Sequence, residues 1–231
     1  RTATAIMQAM QVIRDQAAFA KIHGLFRAAS GVDVMCDLLF STLPTGPGQR
    51  RSLFTFLPKV SKVDLYISHS WKCSSWLKFL AVSHYLNLDF ALLAFFFSCL
   101  LSVLILVARA GWSVPGVAQQ PQGLLFGCLV VWPILVFALA YTGGTFFSNR
   151  SFWLDQICID QENLLLKSQA LRAVPAFVAN AERLVLLLDE TYFGRLWCIY
   201  ELAVHTKAGS GVAELVPTWM PTWTISMVCF Q

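Results

Sequence analysis

The chain has 231 residues, 57% of them hydrophobic and only 13% charged, against the roughly one-quarter charged residues of an ordinary soluble domain. Its formal charge of +4 comes without a dense basic run, which sets a nucleic-acid groove aside. The composition is that of a membrane protein with room for one large domain or two small ones.

Residues 1–40 are expected to be helical, because Ile6, Met10, Ile13 and Ala17 recur on one face at spacings of four, three and four. STLPTGPGQRRS, residues 41–52, breaks the pattern with two prolines and two glycines, so residues 41–61 are read as a linker. Residues 62–87 then open a new domain. KVDLYISHSW, 62–71, holds a strand in which Val63, Leu65 and Ile67 alternate, followed by a helix from about Ser74 to Asn87.

Phe90 to Ala108 is a run of 19 uncharged residues, and Gly123 to Phe147 a second of 25. A bilayer core needs roughly 20 apolar helical residues, so residues 88–147 are expected to form a transmembrane hairpin with spans at about 90–108 and 123–147. GWSVPGVAQQPQ between them suits a short connecting loop. Pro133 lies inside the second run, which membrane helices tolerate better than soluble ones. Arg50, Arg51, Lys59, Lys62, Lys72, Lys78 and Arg150 flank the hairpin, while the loop has only Arg109 at its edge. This bias puts both flanks in the cytoplasm.

Residues 148–209 return to an alternating pattern. SFWLDQICID, 151–160, is read as a strand, and residues 162–182 as a helix interrupted or kinked at Pro175. RLVLLLDE, 183–190, is an apolar run of the kind buried in a parallel sheet. Tyr192 to Lys207 reads as a helix stopped by Ala-Gly-Ser-Gly. Strands alternating with helices build a parallel α/β sheet, and the hairpin would be an insertion within it. Residues 210–231, with PTWMPTW at 217–223, are read as a membrane-interface segment, and the run ISMVCF fits the start of a third span. The chain begins at Arg1 and stops inside that run, so it is expected to be a fragment.

DLYISHSW, FWLDQICIDQEN and LLLDETYFGRLWCIYEL, in this order, resemble the TIR-like domains, including the prokaryotic type and the related fungal heterokaryon-incompatibility type. The resemblance covers residues 62 to about 92 and 150 to 209. It implies a flavodoxin-like parallel sheet with flanking helices, and a signalling module that associates with other TIR-like domains as a homo-oligomer. It also implies a second activity, cleavage of NAD at the nicotinamide glycosidic bond, with NAD as a substrate rather than a permanently bound cofactor. The catalytic glutamate of that cleavage corresponds to Glu201. Ser68 and His69, at the end of the first strand, and Trp197 are the implied nucleotide-pocket residues.

A carboxylate suits such a reaction because loss of nicotinamide leaves an oxocarbenium-like ribose that a fixed anion stabilises. Trp197, Glu201 and His205 are spaced by four on one helix face, so His205 is expected to pair with Glu201 or orient it. Each residue also has a plainer reading: Trp197 as core, and Glu201 as a boundary carboxylate bonded to backbone or His205. Ser68 and His69 are adjacent on a strand and point to opposite faces, which argues against a hydrolase triad. Asp155 and Asp160 lack a histidine at ligand spacing, so turn and cap roles fit them better than a metal site. The seven cysteines are scattered without a C-x-x-C pair, and Cys158 and Cys198 read as buried small apolar residues. Transport is a weak third class, since neither apolar run carries a charge.

Overall fold

The structure is a computed structural model that describes residues 2–40, 54–111, 120–209 and 211–229. The expected linker at 41–52 and most of the loop at 111–122 lie outside them. The chain divides into two compact units: residues 1–81 with 148–219, and residues 82–147 with 220–231.

The first unit is an α/β layer. Strands β1 (Val63–His69), β2 (Phe152–Trp153), β3 (Ala181–Leu188) and β4 (Val212–Pro217) form one sheet in the order β2-β1-β3-β4. Every pairing is parallel. β1 is buried along nearly its whole length and β3 over its carboxyl-terminal half, as expected of inner strands covered on both faces. Tyr66 stacks on Trp153 at 4.3 Å, Trp153 meets Phe177 at 5.5 Å, and Phe177 stacks on Phe26 at 4.7 Å. This aromatic column is the centre of the core.

Residues 1–40 are two helices rather than one, α1 (Thr2–Ile22) and α2 (Gly31–Phe40). Gly24, at φ +60°, takes the left-handed position that ends α1. The Leu25 amide donates to the Ala20 carbonyl and the Gly24 amide to Lys21, the paired bonds of a Schellman stop. α2 restarts under a capping box: the Asp33 amide donates to Ser30 Oγ, and Asp33 Oδ2 accepts from the Ser30 amide at 2.9 Å. The turn between them bridges Ala29 to Phe152 and Arg27 to Lys59. The N-terminal segment is therefore built onto the sheet. Residues 54–61, expected to be linker, are held the same way: Phe54 and Leu57 are buried, and Arg27 donates to the Thr55 and Leu57 carbonyls.

β2 is much shorter than the strand expected at 151–160. After Trp153 the chain turns into a short helix, α5 (Asp155–Cys158), with the Cys158 amide donating to Leu154 O at 2.8 Å. Alternation cannot reveal such a switch, because Ile157 and Cys158 are buried either way. The next helix, α6 (Leu164–Ala179), runs continuously through Pro175, so the expected interruption is absent. Asn163 caps it, accepting from the Leu165 and Leu166 amides. A short 3-10 turn (Tyr192–Gly194) leads into α7 (Leu196–Ala208), which ends at Gly209 with φ +62°.

Part of the segment read as membrane-interface is strand β4, paired along its length with β3. Val212 and Val216 are strong strand formers, and pairing with β3 fixes this stretch as a strand despite the interface-like tryptophans that follow. Gly211 makes the entry to β4: at φ +72°, a Cβ there would overlap the Glu182 carbonyl oxygen, so no other residue fits.

The second unit holds two long apolar helical stretches. α3 (Ser75–Arg109), which starts in the first unit, merges the expected helix at 74–87 with the first apolar run. α4 is formed by Gln122–Phe126, the π-helical turn Gly127–Val131 and Trp132–Gly143, and continues as the 3-10 turn Gly144–Phe147. The π turn precedes Pro133, whose missing N–H and bulky ring disturb the bonding of the preceding turn. Both stretches are long and apolar enough to cross a membrane, with 22% and 17% of their most apolar windows buried. Phe96, Phe97 and Leu139 are each about two-thirds or more exposed. Within this unit Asn87 Nδ2 donates to the Tyr141 carbonyl and to Thr145 Oγ1, both at 2.8 Å. α8 (Met220–Cys229) also belongs to this unit.

Candidate functional site

Ligands of open α/β sheets bind outside the carboxyl ends of the strands. In this sheet those ends are His69, Trp153, Leu188 and Pro217. Two neighbouring polar regions gather there, one closed and one open.

The closed region surrounds Glu201, which is only 2% exposed. Tyr66 Oη donates to its Oε1 at 2.7 Å and Ser68 Oγ to its Oε2 at 2.5 Å. Tyr66 and Ser68 are two residues apart on β1, so they share a sheet face. With the Ser68 proton directed at Glu201, Tyr192 Oη donates to Ser68 Oγ at 2.6 Å. Burial pushes the Glu201 carboxyl up to about 8 and Asp155 adds to the rise, while hydrogen bonds from Ser68, Tyr66 and Trp197 act the other way. Burial also raises the Tyr66 phenol, and the neighbouring Glu201 adds to it. The nest is a buried network in which each Glu201 oxygen has a hydroxyl partner.

The open region is a cleft of about 400 Å³ lined by His69, Trp71, Asp155, Lys167, Arg195 and Trp197, among others. Asp155 starts α5 and is 8% exposed; His69 ends β1 and is 3% exposed. Trp71 Nε1 donates to Asp155 Oδ2 at 2.7 Å. His69 Nε2 lies 3.7 Å from Asp155 Oδ1, and neither atom has a hydrogen-bond partner. Burial lowers the imidazole to about 3, with the nearby Lys78 cation adding to the drop. Burial raises Asp155 to about 6 against the pull of the Trp71 hydrogen bond. At neutral pH the pair is therefore a neutral imidazole facing a carboxylate, not an ion pair.

Lys78, whose charge acts on both His69 and Asp155, is 1% exposed. Burial lowers its ammonium, while Cys73, Asp155, Asp189 and Asp37 hold it up. Ser70 Oγ and Thr191 Oγ1 bond at 2.7 Å, and Thr191 Oγ1 donates to Asp189 Oδ2 at 2.7 Å. These contacts tie the end of β1 to the end of β3.

The four residues singled out from sequence thus divide. His69 and Trp197 line the cleft; Ser68 and Glu201 sit together in the closed nest and are not among the residues lining it. The expected pairing of Glu201 with His205 is not made: Tyr66 and Ser68 engage both carboxylate oxygens, and the buried His205 Nε2 has no partner. Asp160 accepts from the Glu162 and Asn163 amides, a turn role. Among the described residues no group of three His, Cys, Asp or Glu side chains is placed to hold a metal ion.

Sequence reading missed Tyr66, Tyr192, Lys78 and Asp155 as members of these regions. The i, i+2 spacing of Tyr66 and Ser68 is a usable signal for the first; Asp155, expected in a turn or cap role, instead starts α5 on the cleft wall. Comparison of the chain with protein-family models, with curated proteins and with solved structures finds no match to any of them.

Proposed function

We propose that this chain is a membrane-anchored TIR-like module whose α/β sheet faces the cytosol and which signals by self-association. The observation that carries this reading is the chain order. Two helices of membrane-crossing length and hydropathy lie between β1 and β2 of a single parallel sheet. The sheet order β2-β1-β3-β4 matches the first four strands of the flavodoxin-like order 2-1-3-4-5. An even number of spans returns the chain to the side it left, so both halves of the sheet can meet. The TIR-like motifs fall at β1, at β2 with α5, and across β3 and α7.

Self-association draws support from an apolar surface on the 3-10 turn and α7. Phe193, Leu196, Ile199 and Tyr200 are all exposed, Leu196 at 84%, and contiguous exposed apolar groups mark interaction surfaces. Crosslinking and size analysis of the detergent-solubilised protein across a range of loadings tests the reading. Concentration-dependent dimers or higher species are expected; a monomer at every loading and with every trigger overturns it.

A second reading, an NAD glycohydrolase using Glu201, draws on the raised carboxyl at the strand ends beside Ser68. Incubation with NAD should release nicotinamide from the native chain and not from Glu201→Ala. Equal release from both removes Glu201 from the chemistry, and no release from either removes the reading.

A further inference from the structure

The cleft presents two buried acceptors that nothing in the protein satisfies. The His69 ring is bonded to the Ile67 carbonyl, which favours its protonated side, and Nε2 is the nitrogen left without a partner. In a neutral imidazole bonded through one N–H, the other nitrogen offers a lone pair. Asp155 Oδ1 is the second acceptor, 3.7 Å away. Two acceptors at that separation do not satisfy each other, and leaving them unpaired costs desolvation energy. A ligand group with two adjacent donors answers both.

The remaining walls narrow the class. Lys167 and Arg195 stand on the same cleft and supply positive charge for an anionic group. Trp71 and Trp197 also line it, offering flat apolar faces to the carbon skeleton between the polar ends. Asp155 is fixed from behind by Trp71 Nε1, and the Asp155 carbonyl accepts from Gln161 Nε2 at 2.8 Å. Its free oxygen is thus held in place before any ligand arrives, as a preorganised contact requires.

We infer that Asp155, with His69, is the ligand-contacting pair of this cleft and that it takes the vicinal hydroxyls of a phosphorylated polyol or sugar. The pair holds two hydroxyl protons; Lys167 and Arg195 hold the phosphate. The inference rests on the cleft alone and stands apart from self-association, which crosslinking reads separately.

The test titrates the full chain in detergent with ribose 5-phosphate, 2-deoxyribose 5-phosphate and inorganic phosphate, following tryptophan fluorescence. The native chain should bind ribose 5-phosphate saturably and at least tenfold more tightly than the deoxy probe or inorganic phosphate. Asp155→Asn should weaken ribose 5-phosphate binding at least tenfold while keeping its affinity for inorganic phosphate, which also shows that the cleft is folded. Arg183→Ala, at the exposed Arg183–Glu214 pair outside the cleft, should bind all three probes within twofold of the native chain. No saturable binding of ribose 5-phosphate by the native chain overturns the inference. So does native affinity in Asp155→Asn, an equal loss of all probes in that variant, or a selective loss in Arg183→Ala.

Discussion

The closed nest and the open cleft each hold a buried acidic residue, yet the two are built in opposite ways. Glu201 has a hydroxyl donor on each oxygen; Asp155 has a donor on one oxygen and none on the other. Burial alone therefore says little about which acid works. What distinguishes them is satisfaction: a network with every member bonded holds structure, while an orphaned buried oxygen on a cleft wall is retained for something that comes and goes.

The sharpest way to break this comparison is to remove the satisfied acid. Glu201→Leu strands the Tyr66 and Ser68 hydroxyls in the core, and the loss should be about 2–4 kcal/mol in thermal or denaturant unfolding. A loss below that of Asp155→Asn would reverse the assignment of roles.

A smaller effect is carried by pH. The Glu201 carboxyl is near 8 in the folded chain and near the ordinary 4.5 in the unfolded one. The stability tied to its protonated form is complete below pH 4.5 and is lost as pH rises through 8. His69 works in the opposite sense: its folded value of about 3 makes stability fall as pH drops below its ordinary 6.5. Asp155, near 6, acts below that value. Between pH 6.5 and 8 Glu201 gives the largest contribution, partly offset near pH 6.5 by His69 and His205, which stay neutral in the folded chain while their unfolded rings take up protons, so stability should rise by about 1 kcal/mol on going from pH 8 to 6.5. Glu201→Gln should flatten that segment in a pH series of unfolding midpoints, and an unchanged slope would place the buried proton elsewhere.

Asp155→Asn should be milder, at about 1 kcal/mol or less, because the amide oxygen still accepts from Trp71. The exposed pair Arg183–Glu214, 3.0 Å apart, gives the baseline. Arg183→Ala should change stability by only a few tenths of a kcal/mol, as surface ion pairs do. Unfolding midpoints measured side by side should place the three variants Glu201→Leu, Asp155→Asn and Arg183→Ala in that order of loss, and an inversion overturns the contrast between the two acids.

Much of the architecture was legible in the sequence for reasons that are visible in particular residues. Val63, Leu65 and Ile67 alternate, RLVLLL is a continuous apolar run, and the two charge-free stretches need no subtlety to find. The helix stop beyond Lys207 was legible because glycine takes the left-handed turn that Gly209 makes. The failures have one cause. Where β2 gives way to α5 after Trp153, and where β4 follows Gly211, local pattern was compatible with more than one backbone path, and long-range pairing decided between them. The site was half-legible for the same reason. Helical spacing put Trp197, Glu201 and His205 on one face, but it could not tell that Tyr66, 135 residues away in the chain, would take the place expected of His205.

Asn87 carries a consequence for how the sheet is assembled. β1 and β2 are neighbours in space, but 83 residues separate His69 from Phe152. The bond from Asn87 to Thr145 short-circuits that loop: only 18 residues run from His69 to Asn87, and 7 from Thr145 to Phe152. Loop-closure entropy grows with the logarithm of length, so closing the shorter path first lowers the remaining entropic barrier to β1–β2 pairing by about 1 kcal/mol. One asparagine side chain thus lets a long insertion behave, for the folding sheet, as a short one.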